Sequence, residues 1–146
     1  MVLRVLIAAV LGGAVGYDRQ RHDKPAGLRT HMLVAMGSAL FVGSGVLLLL
    51  ADASGPDTRL DLLRVSAAVA TGIGFLGAGA IIRSGATVRG LTTAAGIWVT
   101  AGIGATVGVG QYYLAVGATL ITVIVIAVLG HARVPRPGGR TPDDEV

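Results

Sequence analysis

Residues 31–51 read HMLVAMGSALFVGSGVLLLLA, twenty-one positions without a single charge. At 1.5 Å per residue, roughly 20 mostly apolar residues cross a ~30 Å hydrocarbon layer as a helix. Four more apolar runs surround this one. Val2 to Tyr17 is interrupted only by Arg4 and Leu62 to Ile82 only by Arg64, while Leu91 to Val109 and Tyr112 to Gly130 carry no charge. The pattern predicts an all-α polytopic membrane protein, a bundle of five transmembrane helices at about 2–17, 31–51, 62–82, 91–109 and 112–130. Residues 131–146, with Pro135, Pro137, Pro142, Gly138 and Gly139, are too poor in apolar groups to fold alone and are expected to be disordered.

Composition agrees. Of 146 residues 53% are hydrophobic and only 14% charged, with mean hydropathy +0.74, against about 25% charged in ordinary soluble domains. The length suits one folding unit and excludes a two-domain enzyme. Cysteine is absent, which removes disulfides, thiolate metal sites and cysteine nucleophiles. The net charge of +4 would suggest nucleic acid in a soluble protein, but here the cations lie between apolar runs, so the lipid bilayer is the expected partner and nucleic acid is not.

Five spans place Arg19, Arg21, Lys24, Arg29, Arg83, Arg89, Arg133, Arg136 and Arg140 on one side, and Arg4, Arg59 and Arg64 on the other. Nine against three predicts an N-terminus outside and a cytoplasmic C-terminus in a bacterial inner membrane. An alternative reading of the first run is a signal peptide cleaved near Ala14-Val15-Gly16. That would leave the cluster from Arg19 to Arg29 outside, against the charge rule, so a retained helix with Arg4 snorkelling to the interface is preferred.

No carboxylate lies within an apolar run; Asp52, Asp57 and Asp61 fall in the outer loop. Proton-coupled carriers usually hold ionisable groups inside the membrane, so this distribution weakens a pump reading. At the boundaries, Thr30, Asp61 and Thr92 or Thr93 sit where N-caps are wanted, and Ser54-Gly55-Pro56 and Ser84-Gly85 mark turns.

Glycines recur where helices would pack: Gly12 and Gly16, Gly104 and Gly108, and Gly72, Gly74, Gly77 and Gly79. Small residues let helix backbones approach in lipid, which points to helices 1, 3 and 4 as the packed centre. Gly72 to Gly77 spells GxGxxG, but without a preceding strand or a following acidic residue the dinucleotide reading fails. His22, His31 and His131 lack ligand spacing and read as interfacial polar residues. No serine sits in a GxSxG elbow, and neither an enzyme nor a cofactor is expected.

Three blocks then carry a family resemblance: residues 26–34 (AGLRTHMLV) with Gly37-Ser38-Ala39-Leu40, residues 71–79 (TGIGFLGAG), and residues 90–95 (GLTTAA) with Ile97-Trp98-Val99-Thr100-Ala101. Together with residues 13–20 (GAVGYDRQ) they resemble the membrane domain of the MgtC/SapB family over roughly residues 8–130. The resemblance implies an inner-membrane protein of about five spans, linked to growth under magnesium limitation and to survival inside macrophages. Such members are thought to regulate the F-type ATP synthase rather than to carry magnesium. Against the family pattern, residues 131–146 are expected to form a short tail rather than a soluble domain, Ala68 stands in place of a usual glutamine, and Asp18 and Gln20 stand in place of two glutamates.

Candidate functional residues follow from the topology. Asp18, Arg19, Arg29 and Thr30 flank the first inner loop and Arg83, Arg89, Thr92 and Thr93 the second, where arginines and a helix N-terminus favour an anionic partner. Asp18 is placed to pair with Arg29 or Arg89. Arg64 either snorkels outward, or pairs with Asp57 or Asp61, or points inward and marks a cavity. Trp98, eight residues into helix 4, is expected against the glycine face of helix 3 with its indole N–H near Thr71 or Thr100, while Tyr112 and Tyr113 read as interfacial anchors. Two functions remain open: a non-enzymatic regulator acting through helix contacts with another membrane complex, and a small magnesium or other cation transporter or channel. Association of copies into a homo-oligomer is left undecided.

Overall fold

The computed structural model describes residues 1–51 and 62–131. The expectations for the acidic loop (Asp52, Asp57, Asp61, with Arg59 and Ser54-Gly55-Pro56) and for residues 132–146 of the tail lie outside the described residues. The elements are α1 (Val2–Arg21), α2 (Leu28–Ala51), α3 (Leu62–Gly79), a hairpin of β1 (Ile82–Ser84) and β2 (Thr87–Arg89), α4 (Leu91–Val109) and α5 (Tyr112–His131). Three of the helices, α2, α3 and α4, are long and apolar enough to cross a membrane, and a shorter apolar stretch covers Tyr112–Val128 of α5. The protein is an all-α membrane protein.

Helix ends differ from the apolar runs, because a run ends at the first charge and a helix does not. Arginine and glutamine are good helix formers, so α1 continues through Asp18, Arg19 and Gln20 to Arg21, and α2 begins at Leu28, ahead of Arg29. Thr30 is therefore inside the first turn of α2 rather than its cap. α3 stops at Gly79, three residues short of expectation, because the chain turns there into the β-hairpin. Its two-residue turn, Gly85-Ala86, has a positive φ only at Gly85 (58°), the arrangement of a II′ turn.

α4 is bounded by glycines. Gly90 (φ 88°) precedes it without a side-chain cap, so neither Thr92 nor Thr93 caps the helix, and a Cβ at Gly90 would collide with the Ala80 carbonyl. Gly110 (φ 99°) closes it, its amide and that of Gln111 bonding back to Thr106 and Val107. Left-handed glycine after the last turn satisfies carbonyls that have no intrahelical partner.

Close contacts fix the helix directions. Gly12 lies against His31 and Ala35 and Gly16 against Leu28, so α1 and α2 are antiparallel. Gly96 faces His31, Gly104 the Ala35 carbonyl and Gly108 that of Ala39, so α2 and α4 are parallel. Gly45 meets Leu62 and Val65 of α3, and Gly96 meets Ile126 of α5. The five helices thus alternate in direction.

The packed centre is α1, α2 and α4, not helices 1, 3 and 4. Its core comprises Ala8, Val15, Ala35, Ala39, Ile103 and Val107, with Ala115 from α5. Gly12/Gly16 and Gly104/Gly108 are four apart and share one helix face. Gly72, Gly74, Gly77 and Gly79 follow at intervals of two, three and two, which scatters them around α3 at 100° per residue. Only Gly77 touches a neighbouring helix, 3.7 Å from Ala94; Gly72, Gly74 and Gly79 face open space.

Candidate functional site

Along α1 the buried positions Ala8, Gly12, Val15, Gly16 and Arg19 recur at helical spacing. Arg19 is the last member of this apolar stripe, and because α1 remains helical there its side chain enters the bundle and is only 5% exposed. Nη2 donates to the Thr93 hydroxyl in the first turn of α4 at 3.0 Å. Nε, also buried, has no partner among the described residues. Asp18, one position before it, lies 3.6 Å from His22, and the expected pair with Arg29 or Arg89 does not form.

His31, in the first turn of α2, is fully buried inside the bundle rather than exposed at its surface. Glycines make room for its ring: Gly12 and Gly16 on α1 lie against its backbone and Cβ, and a Cβ at Gly96 of α4 would come within 3.5 Å of Nε2. Nδ1 donates to the Gly27 carbonyl at 2.9 Å, while Nε2 has no partner among the described residues. Thr100, one turn further along α4, is buried and donates to Gly96 O at 2.8 Å. The spacing four between glycines that signals close helix approach equally accommodates one large side chain opposite, which is why the sequence reading missed His31.

The other singled-out residues are dispersed. Arg29, Arg83, Arg89 and Thr92 are exposed and Thr30 is half-buried; Arg83 Nε donates only to Gly85 O in its own hairpin. Arg64 is exposed, as the snorkelling reading expects, so no cavity is marked by it. Trp98 is 56% exposed and falls off the buried stripe of Thr93, Gly96, Ile97, Thr100 and Gly104 along α4. Thr71 and Thr100 give their hydroxyl protons to their own helices. Arg4 donates from Nη1 to Gly108 O at 2.7 Å and caps the end of α4.

A second feature lies between α2 and α3. A groove of about 360 Å³ is lined by Val34, Ser38 and Phe41 on one wall and Val69, Gly72 and Ile73 on the other. Ser38 Oγ is buried and without a partner among the described residues. Beyond the groove, Phe75 of α3 is 81% exposed.

Residues 5–133 match the model of the MgtC family. The chain belongs to the MgtC family. Among relatives, it is 44% identical over 81 residues to an Escherichia coli K12 protein named putative magnesium transporter YhiD, covering 56% of this chain and 38% of that one. Protein SrpB of Synechococcus elongatus is 44% identical over 81 residues, 55% of this chain and 43% of its own length. Protein MgtC of Salmonella typhimurium is 43% identical over 82 residues, 56% and 32% respectively. The chain therefore matches less than half the length of each. No solved structure matches it. The family resemblance read from the three sequence blocks is borne out.

Proposed function

We propose that this MgtC-family chain is a non-enzymatic regulator connected with magnesium limitation or membrane energetics, acting through contacts between its helices and another membrane complex. One observation carries the reading: α3 is long and apolar enough to span, yet Gly72, Gly74 and Gly79 face open space on more than one side of the helix and Phe75 is exposed. Glycine offers lipid no side chain to pack, whereas it lets a second helix backbone approach closely. The occupant is accordingly an apolar helix of a partner membrane protein, and the family resemblance nominates the F-type ATP synthase. The charge asymmetry supports an orientation with the end bearing Arg19, Arg21, Lys24, Arg29, Arg83 and Arg89 in the cytoplasm of a bacterial inner membrane.

A second reading, a small cation transporter, is favoured by the name of the Escherichia coli relative. Against it, divalent cations bind through several oxygen ligands, commonly carboxylates, and no group of three His, Cys, Asp or Glu is found among the described residues. Copurification from native membranes tests the regulator: one membrane partner retained by the wild type and lost in Gly74→Leu supports it. An unchanged set of partners in Gly74→Leu refutes the role of α3.

A further inference from the structure

At the end of the bundle where α1 finishes, α4 begins without a cap. Gly90 offers no side chain, and the first amide with a backbone acceptor in this stretch is that of Ala94, on Gly90 O at 2.9 Å. The start of a helix carries roughly half a positive charge and free N–H groups. Arg19, whose guanidinium is always charged, is held against this same turn through Thr93. The negative end of α1 and the neighbouring Asp18 carboxylate offset part of that charge, but no carboxylate lies within ion-pair distance of Arg19 among the described residues. A buried cation left unpaired is costly, and buried charges are ordinarily compensated.

The second buried orphan completes the picture. Because Nδ1 of His31 donates to Gly27 O, the neutral ring presents Nε2 as a bare acceptor. It faces Gly96, one turn along α4 from Thr93 on the same buried stripe. Two side chains, each more than nine-tenths buried, thus bring an unused donor and an unused acceptor to the first two turns of one helix.

We propose that Arg19, His31 and the first turn of α4 form a binding site for a protonated oxyanion, inorganic phosphate or a phosphomonoester. Arg19 Nε and the α4 amides donate to its charged oxygens, and its P–OH donates to His31 Nε2. A phosphodiester headgroup has no such proton and leaves His31 unsatisfied. The proposal stands on this cluster and is independent of the regulatory reading of α3.

The test is thermal unfolding of the full chain, purified in neutral detergent without phosphate and titrated with inorganic phosphate. A saturable rise in the unfolding midpoint is expected, absent in Arg19→Met and retained in Arg29→Gln, whose side chain is exposed. Arg19→Lys keeps the charge but loses the Nε donor, so its apparent affinity is expected to fall at least about tenfold, the equivalent of one charge-assisted hydrogen bond. Should Arg19→Met fail to fold, Arg19→Lys carries the comparison. No saturable response to phosphate, or equal affinity in the wild type and Arg19→Lys, overturns the site. Stabilisation by micelles containing phosphatidylglycerol but not by phosphate overturns the assignment to a protonated anion.

Discussion

At Gly104 an added Cβ would run into the Ala35 carbonyl, and at Gly108 it would lie 2.8 Å from that of Ala39. A backbone carbonyl cannot turn aside as a flexible side chain does, so Gly104→Ala must push α4 off α2. The expected cost is ~1–3 kcal/mol, read as a lowered unfolding midpoint in detergent. Gly102, with nothing within 4 Å, is the control: Gly102→Ala should stay within about 0.5 kcal/mol of the wild type. Arg4→Ala removes the charged donor from Gly108 O and should cost ~1–3 kcal/mol, the range for hydrogen bonds to charged groups. Arg64→Ala, at an exposed position, should alter neither stability nor function, checked by the same melts and by complementation. At this scale the spacing of glycines was legible because a four-residue interval fixes a face. The burial of Arg19 and His31 was not, since a polar letter beside a loop reads as surface until the helix is known to continue through it.

For single elements, hydropathy located the helices because crossing lipid demands a long run without charge, and that demand is visible residue by residue. Their ends were less legible, since polarity marks where lipid stops and not where hydrogen bonding stops; α1 runs on through Asp18 to Arg21 for this reason. The β-hairpin was visible only as its Ser84-Gly85 turn. Counting glycines overrated α3, whose glycines do not share a face. The structure turns that miss into a prediction: Gly74→Leu should leave the unfolding midpoint unchanged within about 0.5 kcal/mol while abolishing partner copurification. A Gly74→Leu protein that unfolds like Gly104→Ala would show that α3 is packed inside the chain.

Across the whole molecule, the described helices alternate in direction, and Arg19, Arg21, Lys24, Arg29, Arg83 and Arg89 gather at one end, with Arg4 and Arg64 at the other. The proposed orientation predicts that a C-terminal reporter is active in the cytoplasm and silent in the periplasm. Family membership was legible because its blocks coincide with the starts of α2 and α4 and with the run of glycines in α3, stretches that the sequence shows directly. A partner was not legible, since an open helix face states the shape of its occupant without its identity. The regulatory account is tested most directly by reconstituting the purified, folded protein into liposomes that contain a magnesium-sensitive dye. The account predicts no magnesium entry above that of empty liposomes, whereas saturable entry carried by this chain alone would contradict it.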